Sequence, residues 1–254
     1  MKAIIIFALF IFCSIFSFGQ VALPNPNEYE EHKPLLYRNE VKYGLTIHSA
    51  GWGFGFRRGF HITGNSKRVI EAELISMKSE KEIKTVNPSY DNAKAYVYGK
   101  INSLMILRTG FGNQRILYGK SDRGGIEVQF NYSAGFSLGL AKPIYLDVTT
   151  SQGNQYNIQT IKYYPTPTPN DTVIVGRGPL FKGIDEIKPY PGLYAKAGFA
   201  FDWNSKDDRI SALEAGVMVD GYFKEVPIMA SIQNKQVFVN FYITFLFGKK
   251  WYTN

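Results

Sequence analysis

The chain has 254 residues, 45% hydrophobic and 15% aromatic, with 24 Gly, 12 Pro, one Cys, three His and a formal charge of +8. That apolar fraction excludes a disordered chain, and beyond the first twenty residues no uncharged apolar run reaches the roughly 18 residues of a membrane-crossing helix. A soluble β protein and a membrane β-barrel remain, and 17 Tyr and 19 Phe against a single Cys are a first hint of which.

Residues 1–19 read as an export signal. Lys2 opens it, apolar residues fill 4–16, and Ser17-Phe18-Gly19 forms a small-x-small cleavage site before Gln20. A retained anchor is disfavoured by the short segment and the polar sequence after it, and lipidation of Cys13 by the bulky Phe12 before it. Loss of Cys13 with the signal would remove disulfides, thiol catalysis and thiolate metal sites together. Residues 20–40 (Pro24, Pro26, Glu28, Glu30, Glu31, Pro34) have no periodicity and read as a periplasmic N-terminal arm.

From residue 41 the pattern is strand after strand, with period-2 alternation. Val41, Tyr43, Leu45 and Ile47 oppose Lys42, Gly44, Thr46 and His48. After Ala50-Gly51, the apolar Phe54, Phe56, Phe60 and Ile62 oppose Gly53, Gly55, Arg57, Gly59 and His61. Arg58 breaks that apolar face and fits it only near a membrane interface, where its long stem can snorkel. Ile70, Ala72 and Leu74 oppose Glu71, Glu73 and Ile75, and Val97, Ile101, Met105 and Leu107 oppose Tyr98, Lys100, Asn102 and Arg108. Over 126–140 every second residue is apolar, from Ile126 to Leu140, longer than the roughly 5 to 6 residues of a soluble strand. Three further strands cover 193–203, 213–219 and 237–248.

Eight strands of this kind predict an all-β fold, an antiparallel up-and-down transmembrane barrel over 41–250 with a periplasmic tail at 251–254. Reading 41–62 as one strand would leave seven, with 114–120 as a substitute. The long links fall at 79–94, 147–189 and 224–234 on the outer side, and one long periplasmic link, 109–124, departs from the usual short turns.

The inward charges balance: Lys42, Arg57, Lys100, Arg108 and Lys196 against Glu71, Glu73, Glu127, Glu214 and Asp220. An eight-stranded barrel is just filled by its side chains, so paired ions plugging the lumen are expected, with a small gated pore as the alternative. His48 beside Ser49, with Glu73 near, could imitate a lipid-modifying catalytic set, but no nucleophile elbow is present. The three His are not at metal-ligand spacing, and Gly51-Trp52-Gly53-Phe54-Gly55 lacks the helix of a nucleotide loop, so no cofactor or metal is expected. The export signal and dispersed basic residues argue against nucleic acid and for anionic lipid headgroups. Arg115, Lys120 and Arg123 form a candidate periplasmic docking surface. Tyr163-Tyr164-Pro165-Thr166-Pro167-Thr168-Pro169 reads as a stiff extended segment. Asp171-Thr172-Val173 resembles the O-glycosylation acceptor of Bacteroidota, with Thr172 as the acceptor.

The stretches Tyr98-Gly99-Lys100-Ile101-Asn102-Ser103-Leu104 and Tyr132-Ser133-Ala134-Gly135-Phe136-Ser137-Leu138-Gly139-Leu140-Ala141-Lys142-Pro143, with the ending 242–251, resemble small uncharacterised outer-membrane barrels of Bacteroidota. In strand pattern the chain also resembles the transmembrane domain of OmpA-type proteins. The resemblance implies an outer-membrane location, contact with lipid and lipopolysaccharide, and no catalytic residue. The expectation is therefore a non-enzymatic accessory or scaffolding subunit of a secretion or barrel-assembly machine, with protein partners in the outer membrane or periplasm. A lipid-modifying enzyme using His48 is the alternative, beside the small pore.

Overall fold

The computed structural model describes residues 39–90, 93–120, 125–152, 155–163, 172–204, 208–230 and 234–251. The signal, nearly all of the expected arm, most of the Pro-alternating segment, Arg123, Asp171 and the tail at 252–254 lie outside the described residues.

In chain order the strands are β1 (Asn39–His48), β2 (Gly51–Thr63), β3 (Ser66–Met77), β4 (Lys84–Thr85), β5 (Tyr96–Val97), β6 (Asn102–Tyr118) and β7 (Glu127–Pro143). They continue with β8 (Tyr145–Gln152), β9 (Gln155–Lys162), β10 (Thr172–Arg177), β11 (Lys188–Asp202), β12 (Arg209–Tyr222) and β13 (Val237–Trp251). Eight of them close a barrel in the order β1-β2-β3-β6-β7-β11-β12-β13 and back to β1. The closing pair runs without a slip from Asn39↔Trp251 to His48↔Tyr242. All-β, antiparallel and eight-stranded, this is the expected fold, and residues 41–62 are two strands joined by a turn at Ser49 and Ala50.

β6 departs from the sequence expectation at both ends. It starts at Asn102 rather than Val97, and it runs to Tyr118, so most of the supposed long link at 109–124 is strand. Inward Gly110 and Gly112 and outward Thr109, Asn113 and Arg115 blur the alternation there. The ladders nevertheless carry through, with Gly112 opposite Val69 and Gln114 opposite Asn131. One barrel end, the turn end, thus carries the links 64–65, 119–126 and 203–208. The other, the loop end, carries 49–50, 78–101, 144–187 and 223–236. The 144–187 stretch contains a three-stranded sheet ordered β10-β8-β9, and β4 pairs with β5.

The alternation resolves into two unlike surfaces. Outward positions are bulky and apolar, and they stay exposed: Phe111 is 72% accessible, Phe136 73% and Phe241 71%. Cross-strand aromatic contacts lace this face, as between Tyr43 and Phe56 at 5.6 Å and between Phe130 and Phe199 at 5.2 Å. In water so large an apolar surface would drive association. Against hydrocarbon it is the matching face, and closure leaves no barrel strand with an unpaired edge, so the barrel is built to span a membrane.

Candidate functional site

The lumen is where the inward residues of all eight strands meet, and it is filled in three tiers. Room for large side chains comes from inward glycines. A Cβ on Gly110 would stand 2.4 Å from the Tyr194 hydroxyl, one on Gly198 2.6 Å from the Tyr242 hydroxyl, and one on Gly59 2.6 Å from the Glu40 carboxylate. Gly59 on β2, Gly110 on β6 and Gly198 on β11 therefore serve the lumen by their lack of a side chain.

The middle tier is a continuous chain of alternating charge. Asp220 accepts from Arg108 Nε at 2.8 Å, and Arg108 Nη1 also reaches Glu73 at 3.4 Å. Lys196 links Glu73 to Glu71, lying 3.2 Å from the latter. Arg57 then joins Glu71 at 3.2 Å to Glu214, which it grips through two nitrogens at 2.6 and 3.2 Å. Remaining carboxylate lone pairs are taken by neutral donors: Ser133 and Tyr194 on Glu71, Asn131 and Tyr242 on Glu214, Ser137 on Asp220. All seven charged groups are buried. Burial makes each ion costly alone and tolerable only in company, which is the condition this chain meets.

Toward the turn end a second tier holds Glu40 between Lys42 and Lys67, each at 2.8 Å, with Lys42 also donating to Gln114 at 2.9 Å. Asp202 lies beside it, 3.3 Å from Lys120 and 3.7 Å from Lys250. The loop-end tier is apolar. Ile75, Met77, Leu104, Ile106 and Tyr222 pack against Val226, Ile228 and Met229 of the 223–236 link. Backbone bonds fix that link in place: Ile101 N and Asn102 N donate to Ile228 O at 2.9 and 3.3 Å, and Ala230 N donates to Gly99 O at 2.8 Å.

Of the ten charges expected to face inward, seven form the middle tier and Lys42 sits in the turn-end tier. Lys100 stands apart from them, in a link at the loop end, bridged to Met229 and paired with Glu82 at 2.6 Å. Glu127 is half-buried near the turn end, where Gln129 donates to it. Sequence reasoning passed over Glu40, Lys67, Asp202 and Lys250. Parity could have found them, since Glu40 precedes Lys42 by two positions and Lys67 precedes Glu71 by four. Of the docking trio, Arg115 is exposed on β6, whereas Lys120 is engaged by Asp202 and by the Asn204 carbonyl at 2.7 Å. Thr172 opens β10, its backbone opposite Thr150.

The His48 constellation is not assembled as a catalytic set. The His48 Nε2 atom lies 3.2 Å from Ser76 O, and Nδ1 accepts from Ala50 N at 3.3 Å, so both ring nitrogens serve the backbone. Ser49 donates to Asn240 at 2.8 Å rather than to an imidazole, and Glu73 is held by Arg108 and Lys196. A general base needs a free nitrogen within reach of its nucleophile, and this arrangement supplies none. The cavity beside Arg57, Glu71, Gln114 and Lys196 is about 10 Å³, the room of about one water. Among the described residues no helix is long and apolar enough to cross a membrane, and no cluster of three or more His, Cys, Asp or Glu could hold a metal ion.

No family model matches the chain, and no curated protein does. Solved structures similar to it are small barrels. The attachment invasion locus protein Ail of Yersinia pestis aligns at 9% identity and a TM-score of 0.41, over 85% of this chain and 100% of that one. Neisserial surface protein A aligns at 10% identity and a TM-score of 0.36, over 84% and 96%. The N-terminal β-barrel domain of Pseudomonas aeruginosa OprF aligns at 9% identity and a TM-score of 0.32, over 83% and 99%. Likenesses this distant concern general architecture only, and the eight-stranded barrel stands on its own closed register.

Proposed function

We propose that the protein is a non-enzymatic outer-membrane barrel serving as an accessory or scaffolding subunit of a larger envelope complex, such as a secretion or barrel-assembly machine. One observation carries this reading: ions and an apolar plug fill the lumen, while the elaborated parts of the chain lie in the loop-end links. A filled lumen leaves a barrel to act through its surfaces. The export signal expected at 1–19 and the lipid-facing exterior support an outer-membrane location, with the loop end outward and in contact with lipopolysaccharide. Exposed Ile158 on β9 and Val173 on β10 give the loop-end sheet apolar contact points for a protein partner. Thr172 would add a glycan on that same sheet, and an intact mass reduced by the glycan in Thr172→Ala would test it.

Purification from native membranes in mild detergent after crosslinking is the test. Recovery with a stoichiometric envelope partner is expected. Recovery only as a free monomer would overturn the reading.

A further inference from the structure

The register sorts the charges of the barrel by sign. Every carboxylate on the eight strands occupies an inward position: Glu40, Glu71, Glu73, Glu127, Asp202, Glu214 and Asp220. Outward charges on these strands are basic, and five of them gather at the turn end. Arg58 on β2 and Lys249 on β13 both stand opposite Val41, and Lys249 also faces Arg209 on β12. Arg68 on β3 and Arg115 on β6 extend the arc to the other side. All five are exposed, and no carboxylate among the described residues pairs with any of them. Arg58 leans over the Phe60 ring at 5.2 Å, a stem on apolar surface with its charge at the rim.

The arc stops at the seam between β7 and β11. There the outward turn-end positions are Val128 opposite Phe201 and Phe130 opposite Phe199, with Trp203 beyond them. Lys142, outward near the opposite end of β7, donates instead to the Leu180 carbonyl. A one-sided row of guanidinium and ammonium groups with no carboxylate partner among the described residues, directly below a hydrocarbon-facing belt, fits one kind of ligand. That ligand has acyl chains on the belt and a phosphate among the cations, where guanidinium groups can bind two oxygens at once.

We propose that Arg58, Arg68, Arg115, Arg209 and Lys249 form a binding arc for anionic phospholipid headgroups in the leaflet at the turn end, with the aromatic β7–β11 seam left outside it. The assignment rests on the membrane-spanning reading of the barrel.

The full chain, folded into vesicles containing phosphatidylethanolamine and phosphatidylglycerol in equal amounts, is released into mild detergent and its retained lipids are counted by native mass spectrometry. Wild type is expected to favour phosphatidylglycerol by about tenfold, given the attraction of each basic residue near an anionic surface. Replacing all five by Gln should abolish the preference, and Lys142→Gln should leave it unchanged. Two half-arc variants, Arg58→Gln with Arg68→Gln and Arg209→Gln with Lys249→Gln, should each lose part of it, and they cover the case in which full replacement blocks insertion. An undiminished preference in the half-arc variants, or loss of the lipid to excess inorganic phosphate, overturns the arc. Failure of wild type to insert into any vesicle instead overturns the membrane reading beneath it.

Discussion

The middle and the loop end of the lumen occupy one tube, bounded by the same strands, yet they are filled by opposite means. In the middle, seven buried ions alternate in sign and are cross-braced by tyrosine, serine and asparagine donors. At the loop end, aliphatic residues close the mouth with help from the 223–236 link. The apolar tier tolerates small errors of packing, because losing a contact leaves no charge behind. The ionic tier does not, because each member's burial is justified by its neighbours.

That contrast can be broken first at Arg108, which is fully buried between Glu73 and Asp220. Arg108→Leu leaves Asp220 buried without a cation and Glu73 with Lys196 alone, and should destabilise the barrel by about 3 to 5 kcal/mol. Urea titration in lipid vesicles, read by the mobility shift of the folded barrel on gels, measures it. The double variant Arg108→Leu with Asp220→Leu should be less damaged than Arg108→Leu alone. In the apolar tier, Ile106→Ala should cost about 3 kcal/mol by the same assay, with no second site able to relieve it by charge removal. Gly110→Ala comes next, because the new methyl meets the Tyr194 hydroxyl and the Ala134 carbonyl, and a loss of about 1 to 3 kcal/mol is expected. Adding Tyr194→Phe should recover part of that loss, and equal stabilities for the single and double variants would contradict the slot assigned to Gly110.

The smallest effect concerns the loop-end links outside the barrel. Hydrogen bonds from Lys162 and then Tyr145 hold the Glu186 carboxyl below its usual range. A carboxylate with a lowered folded pKa stabilises above its ordinary pKa and ceases to do so as the pH falls through the lowered value. Proteolysis within 178–187 should therefore rise only in acid, and Glu186→Gln should remove that acid dependence.

How much of this was legible beforehand varied with the kind of signal. Alternation located all eight barrel strands, because a lipid-facing side and a polar side differ at every step, as from Val237 to Phe247. It failed over 109–118, where inward glycines and outward polar residues carry no contrast. The apolar plug was illegible for another reason. Leu104 and Ile106 sit at inward positions where polar residues are expected, and their partners Val226 and Ile228 lie in a link with no periodicity. Glu40 and Lys67 lie at element boundaries, Glu40 at the end of the aperiodic arm and Lys67 just after the turn at 64–65, where alternation carries no contrast although both continue the inward parity of their strands.

The chain of charges through the middle tier has a consequence for how the barrel comes together. Its members come from two groups of strands far apart in sequence, β2, β3 and β6 on one side and β11 and β12 on the other, and no two neighbouring strands can satisfy all seven. A strand displaced by one residue would turn its carboxylates or guanidinium groups toward hydrocarbon. The ion chain thus favours the native register over shifted ones, since its contacts across the lumen, such as Arg57 with Glu214 and Arg108 with Asp220, require β2 and β6 to stand in register with β12 on the far side.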